Sequence, residues 1–279
     1  MRLRTLPVSV SGVIAGSALA IMGGCFSAPV ACLCLLFAVL AQISSNFANE
    51  YYDYKAGLDR PGREGPRRGV TEGDITPGAM KVATYATLGL ACAVGLSLIY
   101  WGGWWLIAVG AFIAVGVYAY SAGPYPLSHH GLGEAAVVCF FGIIPVNLTF
   151  YLQSGVFDLT VMLCSISIGL MGANVLIINN YRDMEDDASV GKRTIVVRLG
   201  RTAASAFYLF NGYIAVALMV GLWDALEIWW WAVPVIYLCG HTALWLRMLR
   251  LRGRGLNPFL GITAMLLLFY SLGMLAAAF

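Results

Sequence analysis

The sequence predicts an all-α membrane protein that crosses the bilayer nine times. Hydrophobic residues make up 60% of the chain and charged residues only 11%, which is far from the composition of a soluble domain. The apolar residues form long blocks, and about twenty such residues in a helix span a bilayer. The predicted spans lie near residues 7–23, 28–50, 81–100, 103–121, 134–153, 159–180, 203–222, 228–247 and 257–278. We expect them to form a single integral-membrane domain over residues 1–279.

The basic residues predict how this bundle is oriented. All seventeen Lys and Arg residues lie near residues 2–4, 55–81, 182–201 and 247–254. The loops on the opposite side carry Asp158, Asp224 and Glu227. Cytoplasmic loops carry the excess of Lys and Arg, so we expect a multi-pass cell-membrane protein, surrounded by membrane lipid, with its amino terminus in the cytoplasm and its carboxyl terminus outside. This asymmetry accounts for the net charge of +3 without a nucleic-acid partner.

Three oxygen-bearing side chains near the end of the second span recur far downstream. The paired positions are Asn46 and Asn180, Asn49 and Asp183, and Asp53 and Asp187. If both stretches are helical, steps of three and four residues place each trio on one face. Two such faces, opposed, would form a cage for a hard cation such as Mg²⁺.

The loops beside these trios indicate a ligand for the cage. The predicted cytoplasmic loops, at about 51–80, 122–133 and 181–202, bring Lys and Arg close to the carboxylates. Mg²⁺ and basic side chains together neutralise the charge that grows on a departing diphosphate. The sequence lacks a phosphate-gripping Gly-rich loop with Lys-Ser or Lys-Thr, and it lacks a serine or cysteine triad. At a membrane surface, the diphosphate ester that fits is one with a long hydrocarbon tail, a polyprenyl diphosphate.

Several motifs resemble those of one enzyme family. Asn49-Glu50-Tyr51-Tyr52-Asp53 with Asp59 approximates N-D-x-x-D-x-x-x-D, and Asp183 to Asp187 gives a second D-x-x-x-D. The sequence resembles the UbiA superfamily of intramembrane aromatic prenyltransferases over essentially its whole length. Within it, the chain is most similar to the prenyltransferases that act on 1,4-dihydroxy-2-naphthoate. The motifs behind that similarity are Gly65-Pro66-x-Arg68, Tyr120-Ser121-x-Gly123, Gly131-Leu132-Gly133-Glu134 and Asn179-Asn180-x-Arg182-Asp183 with Gly191-Lys192-x-Thr194.

This resemblance implies roles for individual residues. The expected Mg²⁺ ligands are Asn49, Asp53, Asp183 and Asp187, of which the three aspartates are the expected catalytic residues, with Glu50 and Asp186 close by. The expected diphosphate-binding residues are Arg68, Lys192 and Lys55. The expected acceptor-binding residues are Tyr120, Asn180 and Asp59. The implied reaction transfers a polyprenyl group from polyprenyl diphosphate to 1,4-dihydroxy-2-naphthoate with loss of CO₂ and diphosphate, giving demethylmenaquinone.

Some features depart from the family pattern or have a second interpretation. Glu50 replaces the usual Asp, and Ser128 stands where many relatives carry a basic residue. Tyr120 is either an interfacial aromatic residue or part of a pocket for a planar substrate, and His129 is predicted to be an ordinary loop histidine. One alternative function is prenyl transfer to 4-hydroxybenzoate, haem or chlorophyllide. Another is cation-coupled transport, which the placement of both trios at one membrane face disfavours.

Overall fold

The computed structural model describes residues 5–59, 65 and 67–279, and all regular structure in those residues is helical. Thirteen α-helices follow one another in this part of the chain. They are α1 (Leu6–Met22), α2 (Ala28–Lys55), α3 (Pro77–Ser97), α4 (Ile99–Gly102), α5 (Leu106–Ser121), α6 (Gly133–Val137), α7 (Ile144–Ser154), α8 (Leu159–Arg182), α9 (Met184–Ser189), α10 (Ile195–Ala217), α11 (Val220–Asp224), α12 (Ala232–Met248) and α13 (Asn257–Ala277). The fold-class prediction of an all-α protein is confirmed.

Local sequence signals set the starts of several helices. Thr76 accepts a hydrogen bond from the backbone N–H of Ala79 at 3.2 Å, and Pro77 is the first residue of α3. Asp158 caps α8 by accepting a bond of 2.7 Å from the N–H of Thr160. Such side chains satisfy backbone donors that have no partner in the first helical turn, and proline tolerates that position because it has no N–H.

The central helix of the bundle is α8. Of its most apolar stretch 72% is buried, against 22% for α2 and 17% for the segment that comprises α3 and α4. It packs against α10, α13, α1 and α7, and its residues Ile168 and Met171 lie at the centre of the hydrophobic core. Close approach to the segment before α7 depends on two glycines, because a Cβ on Gly142 would lie 2.3 Å from the Ser165 carbonyl oxygen and one on Gly169 2.9 Å from Val138. Small residues allow helix backbones to approach closely in membranes.

Six helical segments of the described chain are long and apolar enough to cross a membrane. They are Ala28–Lys55, Pro77–Gly102, Gly133–Ser154, Leu159–Arg182, Ile195–Asp224 and Gly253–Ala277. Two shorter apolar helices, α1 and α5, and the 17-residue α12 coincide with the other three predicted spans. Length and composition therefore support six of the nine predicted crossings, and the count of nine stays a prediction.

The segment between α5 and α7 carries a loop that contacts the loop after α9. A 3₁₀ turn at Leu127–His129 is followed by α6, and a π-helical segment at Val138–Ile143 then leads into Pro145 of α7. Proline lacks the N–H that would continue the α-helical ladder, and π-helical turns accommodate such interruptions. The backbone N–H of Arg193 donates to the His129 carbonyl at 2.8 Å. This bond joins the loop after α9 to the 3₁₀ turn, so both lie at the same end of the bundle.

Candidate active site

The first motif lies on the last turns of α2 and faces the interior. Asn49 and Asp53 are four residues apart and are 9% and 2% exposed, as expected for one helix face. The Asn49 side chain is held from two sides, because its Nδ2 donates to Ser121 Oγ at 2.9 Å and its Oδ1 accepts from Arg68 Nη2 at 3.0 Å. The amide is thereby oriented with its oxygen towards the basic loop.

Asp53 is the centre of a cluster of cationic and titratable side chains. Its Oδ2 lies 3.3 Å from Arg68 Nη2 and 3.6 Å from Lys192 Nζ. Its Oδ1 lies 3.6 Å from His129 Nε2. These three partners come from three separate segments of the chain. The sequence prediction of an ordinary loop histidine missed this placement of His129, and no spacing in the sequence indicates it.

The basic loop after α2 is held in place by an acidic residue of the same helix. Glu50 Oε1 accepts a hydrogen bond of 3.1 Å from the backbone N–H of Val70. Arg68, two residues earlier, is 3% exposed, and its Nε lies 3.3 Å from Asp59 Oδ2. Glu50, the departure from the family pattern, therefore positions the loop that carries Arg68. Asp59, predicted to bind the acceptor, contacts this arginine instead.

The second trio, which would share one face if it were helical throughout, is interrupted in the structure. α8 ends at Arg182, Asp183 leaves helical geometry, and α9 begins at the next residue, so the second trio does not share one helix face. Both carboxylate oxygens of Asp183 accept bonds of 2.7 Å from Arg182. The guanidinium, 1% exposed, also donates to the side-chain oxygens of Asn179 and Asn257. Asp183 is thus committed to a buried ion pair that the sequence analysis did not foresee.

Asp187 turns towards the first motif. A turn after α9, with Gly191 at φ +79°, returns the chain so that the Lys192 N–H donates to the Asp187 carbonyl at 2.9 Å. The Lys192 ammonium lies 3.9 Å from Asp187 Oδ1 and 3.6 Å from Asp53 Oδ2. One cation therefore sits between an acid of each motif. The predicted opposition of the two motifs is present at these two carboxylates.

A surface ion pair anchors the second loop to α10. Arg201 donates to both carboxylate oxygens of Glu185, and these hydrogen bonds hold the pKa of that carboxyl below its usual value. The same guanidinium lies 4.8 Å from the centre of the Tyr181 ring. Exposed pairs contribute little to stability, so the main structural consequence of this pair is a contact between α9 and α10.

The donor set at this place suits a hard divalent cation. Asn49, Asp53 and Asp187 present oxygen atoms, and the Lys192 ammonium between the two carboxylates marks a position that attracts positive charge. Among the residues that the structure describes, no three His, Cys, Asp or Glu side chains lie close enough together to hold a metal ion. Mg²⁺ is commonly bound by one or two carboxylates together with substrate phosphates, so these residues fit it.

The predicted acceptor residues separate in the structure. Tyr120 lines a cavity of about 390 Å³ that also reaches Asn49. Asn180 points elsewhere and donates to Glu134 Oε1 at 2.9 Å, a bond between α8 and α6. Its neighbour Asn179 lines the cavity in its place. Of the three predicted residues, the structure therefore brings Tyr120 to the cavity, while Asn180 and Asp59 pair with other side chains.

Two further predicted residues lie on the periphery. Lys55 is exposed at the end of α2, and a residue two positions after Asp53 faces the other side of a helix. Asp186 is exposed on α9. Neither position places its side chain at the buried cluster.

Comparison with known proteins identifies the family. The model of the UbiA prenyltransferase family matches residues 9–272. The chain is 36% identical over 239 residues to "1,4-dihydroxy-2-naphthoate octaprenyltransferase" of Escherichia coli, covering 83% of this chain and 78% of that one. It is 37% identical over 212 residues to the protein of the same name from Haemophilus influenzae, covering 71% and 67%.

The fold agrees with a solved structure. A UbiA homologue from Archaeoglobus fulgidus bound to DMAPP and Mg²⁺ superposes with a TM-score of 0.66 at 16% identity, covering 98% of each chain. At that identity the likeness concerns the fold alone. The family match over nearly the whole chain excludes the transporter interpretation. The protein belongs to the UbiA prenyltransferase family.

Proposed function

We propose that this protein is the enzyme that transfers a polyprenyl group to 1,4-dihydroxy-2-naphthoate. The observation that carries the proposal is the position of Lys192 between Asp53 and Asp187. It brings two acidic motifs and a basic loop to one buried place at the end of an apolar bundle. The names of the relatives at 36% and 37% identity support the aromatic acceptor.

The diphosphate of the donor binds at the cluster around Asp53. Arg68 and Lys192 supply positive charge, and the amide of Asn49 is already oriented towards them. Arg68 is buried, so its field is weakly screened by solvent. Lys192 is a compact charge on a flexible stem, which suits it to move from the carboxylates to the phosphate oxygens. The resemblance also assigns Lys55 to the diphosphate. Its side chain is exposed at the end of α2, so it would contact the diphosphate from the solvent side.

Asn49, Asp53 and Asp187 would hold Mg²⁺, and Asp183, whose two carboxylate oxygens accept hydrogen bonds from Arg182, would be the fourth ligand. When bound, the ion neutralises charge on the diphosphate and so assists its departure. Asp186 is exposed on α9, so it would act on the bound ion indirectly, from outside the cluster.

The apolar cavity accommodates the prenyl chain. A space of about 350 Å³, lined almost entirely by hydrophobic side chains, adjoins the polar cavity at Tyr120. The allylic C–O bond breaks with its electrons passing to the diphosphate, and the electron-rich naphthoate ring supplies the electrons for the new C–C bond. The ring then loses CO₂ and yields the reduced form of demethylmenaquinone. The Tyr120 ring packs against the planar acceptor. The resemblance also assigns Asn180 and Asp59 to the acceptor, but Asn180 donates to Glu134 and Asp59 contacts Arg68, so any effect of these two residues on the acceptor is indirect.

The enzyme acts from within the cell membrane. The proposed arrangement has nine crossings in a single domain, surrounded by membrane lipid. The distribution of Lys and Arg supports a cytoplasmic amino terminus and an external carboxyl terminus. The active-site loops at about 51–80, 122–133 and 181–202 then face the cytoplasm, where a charged diphosphate and a naphthoate are available.

One incubation tests the activity. Purified protein in detergent or liposomes is supplied with 1,4-dihydroxy-2-naphthoate, a polyprenyl diphosphate and Mg²⁺, and the product is identified by mass spectrometry. We expect the mass of the acceptor to lose CO₂ and gain the prenyl group. Parallel incubations with 4-hydroxybenzoate should give no product. Prenylation of 4-hydroxybenzoate in preference to the naphthoate would contradict the proposed acceptor.

A further inference from the structure

The polar face of α2 extends inward beyond the motif that the sequence analysis singled out. Gln42, Asn46, Asn49 and Asp53 follow one another at steps of four, three and four residues, so they share one face of the helix. With a rise of 1.5 Å per residue, Gln42 lies about 10 Å deeper along the axis than Asn49. The stripe therefore runs from the diphosphate cluster towards the middle of the bundle.

The amide of Gln42 is held in one orientation by the residue before α1 and by its own helix. Its Nε2 donates to Thr5 Oγ1 at 2.9 Å and to Asn46 Oδ1 at 3.4 Å. Asn46 Nδ2 donates to the same Thr5 oxygen at 3.3 Å. Both hydrogens of the Gln42 amide are therefore engaged, and its remaining hydrogen-bonding capacity is that of an acceptor.

The carbonyl oxygen of this amide is left over. Gln42 is 6% exposed, and its Oε1 has no hydrogen-bond partner among the residues that the structure describes. Buried polar atoms are nearly always paired, so an unpaired carbonyl oxygen at a site is a place for a donor from a ligand.

The position of Gln42 relates this oxygen to the substrates. The side chain lines both cavities, the polar one of about 390 Å³ and the apolar one of about 350 Å³. Tyr120 lines both as well. Gln42 is thus at the junction where an aromatic acceptor meets the prenyl chain.

We propose that Gln42 Oε1 accepts a hydrogen bond from a ring hydroxyl of the aromatic acceptor and thereby selects and orients it. The inference rests on the proposed function. A carbonyl oxygen favours a hydroxyl and disfavours an ionised carboxylate, so the acceptor binds with a hydroxyl towards Gln42. In 1,4-dihydroxy-2-naphthoate the 1-hydroxyl is internally bonded to the neighbouring carboxylate. The 4-hydroxyl is the free donor, and we assign it to Gln42.

The test compares two ligands that differ by this hydroxyl, the dihydroxynaphthoate acceptor and its monohydroxy analogue, 1-hydroxy-2-naphthoate. For the wild-type protein and for Gln42→Met, the KM is measured with the acceptor and the inhibition constant with the analogue. We expect the KM to rise about tenfold in the variant while the inhibition constant changes less than about twofold, since one neutral hydrogen bond is worth a factor of this order. The KM for the prenyl diphosphate should stay unchanged.

Gln153→Met is the matched control, because it changes the only other glutamine of the chain. Gln153 accepts a hydrogen bond from the Ser27 N–H at the other end of the bundle, so its variant should keep both constants. A melting temperature of Gln42→Met in detergent that stays close to that of the wild type excludes a folding defect in this variant. Equal changes for the two ligands in the folded Gln42→Met variant would overturn the inference.

Failure of the proposed function gives a different result. If the wild-type protein does not prenylate the naphthoate, the dissociation constants of the two naphthoates are measured directly by equilibrium dialysis. A wild-type preference for the dihydroxy ligand that disappears in Gln42→Met would support the role of Gln42 even then. Equal dissociation constants for the two ligands in the wild-type protein would refute it.

Discussion

The two acidic motifs have the same spacing but different surroundings. Asp53 on α2 contacts Arg68, Lys192 and His129, which come from three other segments. Asp183, at the matching end of α8, has both oxygens bound by the adjacent Arg182. One carboxylate thus faces cations that a ligand can recruit, whereas the other is tied into the fold. Acidic residues near the ends of the two motif helices therefore do not have the same role.

Asp187, the last acid of the second motif, resembles Asp53 in its contacts. Asp187 shares Lys192 with Asp53, so the functional pairing runs between the two motifs and not within each. Asp53 and Asp187 therefore act on the ligand, whereas Asp183 also supports the structure.

The largest expected effect distinguishes Asp183 from Asp187. Asp187→Ala should reduce kcat/KM at least about 100-fold and leave the melting temperature in detergent nearly unchanged, because its carboxylate lies 3.9 Å from a flexible lysine and does not form the close ion pair with a buried guanidinium that Asp183 forms. Asp183→Ala should also lower the free energy of unfolding by about 3 kcal/mol, because it leaves the buried Arg182 without its carboxylate. Equal melting temperatures for the two variants would contradict the comparison.

A smaller effect is expected for the cation that joins the motifs. Lys192→Ala should raise the KM for the prenyl diphosphate about tenfold, because a charged hydrogen bond to phosphate is lost. The KM for the naphthoate should change much less. Lys81→Ala removes an exposed lysine of α3 and serves as the control. A similar rise in the KM for the prenyl diphosphate in both variants would mean that Lys192 acts only through the general positive charge of the surface.

The polar cavity predicts a contrast between two tyrosines of α5. Tyr120 lines the cavity, whereas Tyr118 is 47% exposed and contacts the ring of Tyr52. Tyr120→Ala should raise the KM for the naphthoate several-fold, because a ring contact worth about 1 kcal/mol is lost. The KM for the prenyl diphosphate should stay unchanged. Tyr118→Ala should change neither. Steady-state kinetics with each substrate varied in turn would refute the acceptor pocket if the two variants behaved alike.

The smallest effect is expected at Glu50. Glu50→Gln keeps an oxygen that accepts from the Val70 N–H, so activity and Mg²⁺ dependence should stay within about twofold of the wild type. Glu50→Ala removes the acceptor and should weaken donor binding through displacement of Arg68. A large loss in Glu50→Gln would instead make Glu50 a direct ligand of the metal.

The sequence was sufficient for features that depend on local patterns. Long apolar runs predicted the helices, and the α2 register correctly placed Asn49 and Asp53 on one face. The condition that the second trio is helical throughout failed at Asp183, and its spacing did not indicate the bonds that Arg182 makes to Asp183, Asn179 and Asn257. Adjacency of Arg182 and Asp183 was the one available signal.

The site contacts that the sequence did not predict join segments that are far apart in the chain. The His129 ring lies 3.6 Å from Asp53, and the His129 carbonyl accepts a hydrogen bond from the Arg193 N–H. Both contacts join segments that are far apart in the chain, so no local pattern reveals them. The family resemblance assigned Asn180 to the acceptor, and its spacing matched it to Asn46, yet it donates to Glu134. Equivalent positions in two motifs can point in different directions when the helices that carry them have different neighbours.

The most direct test of the account is a double-mutant cycle between the motifs. Asp53→Asn, Asp187→Asn and the double variant are compared by kcat/KM for the prenyl diphosphate at saturating acceptor. Because both acids act on one cation and one ligand, the double variant should lose little more than the worse single variant, a coupling of at least about 1 kcal/mol. Losses that multiply would mean that the two carboxylates act independently, which would contradict a single site built from both motifs.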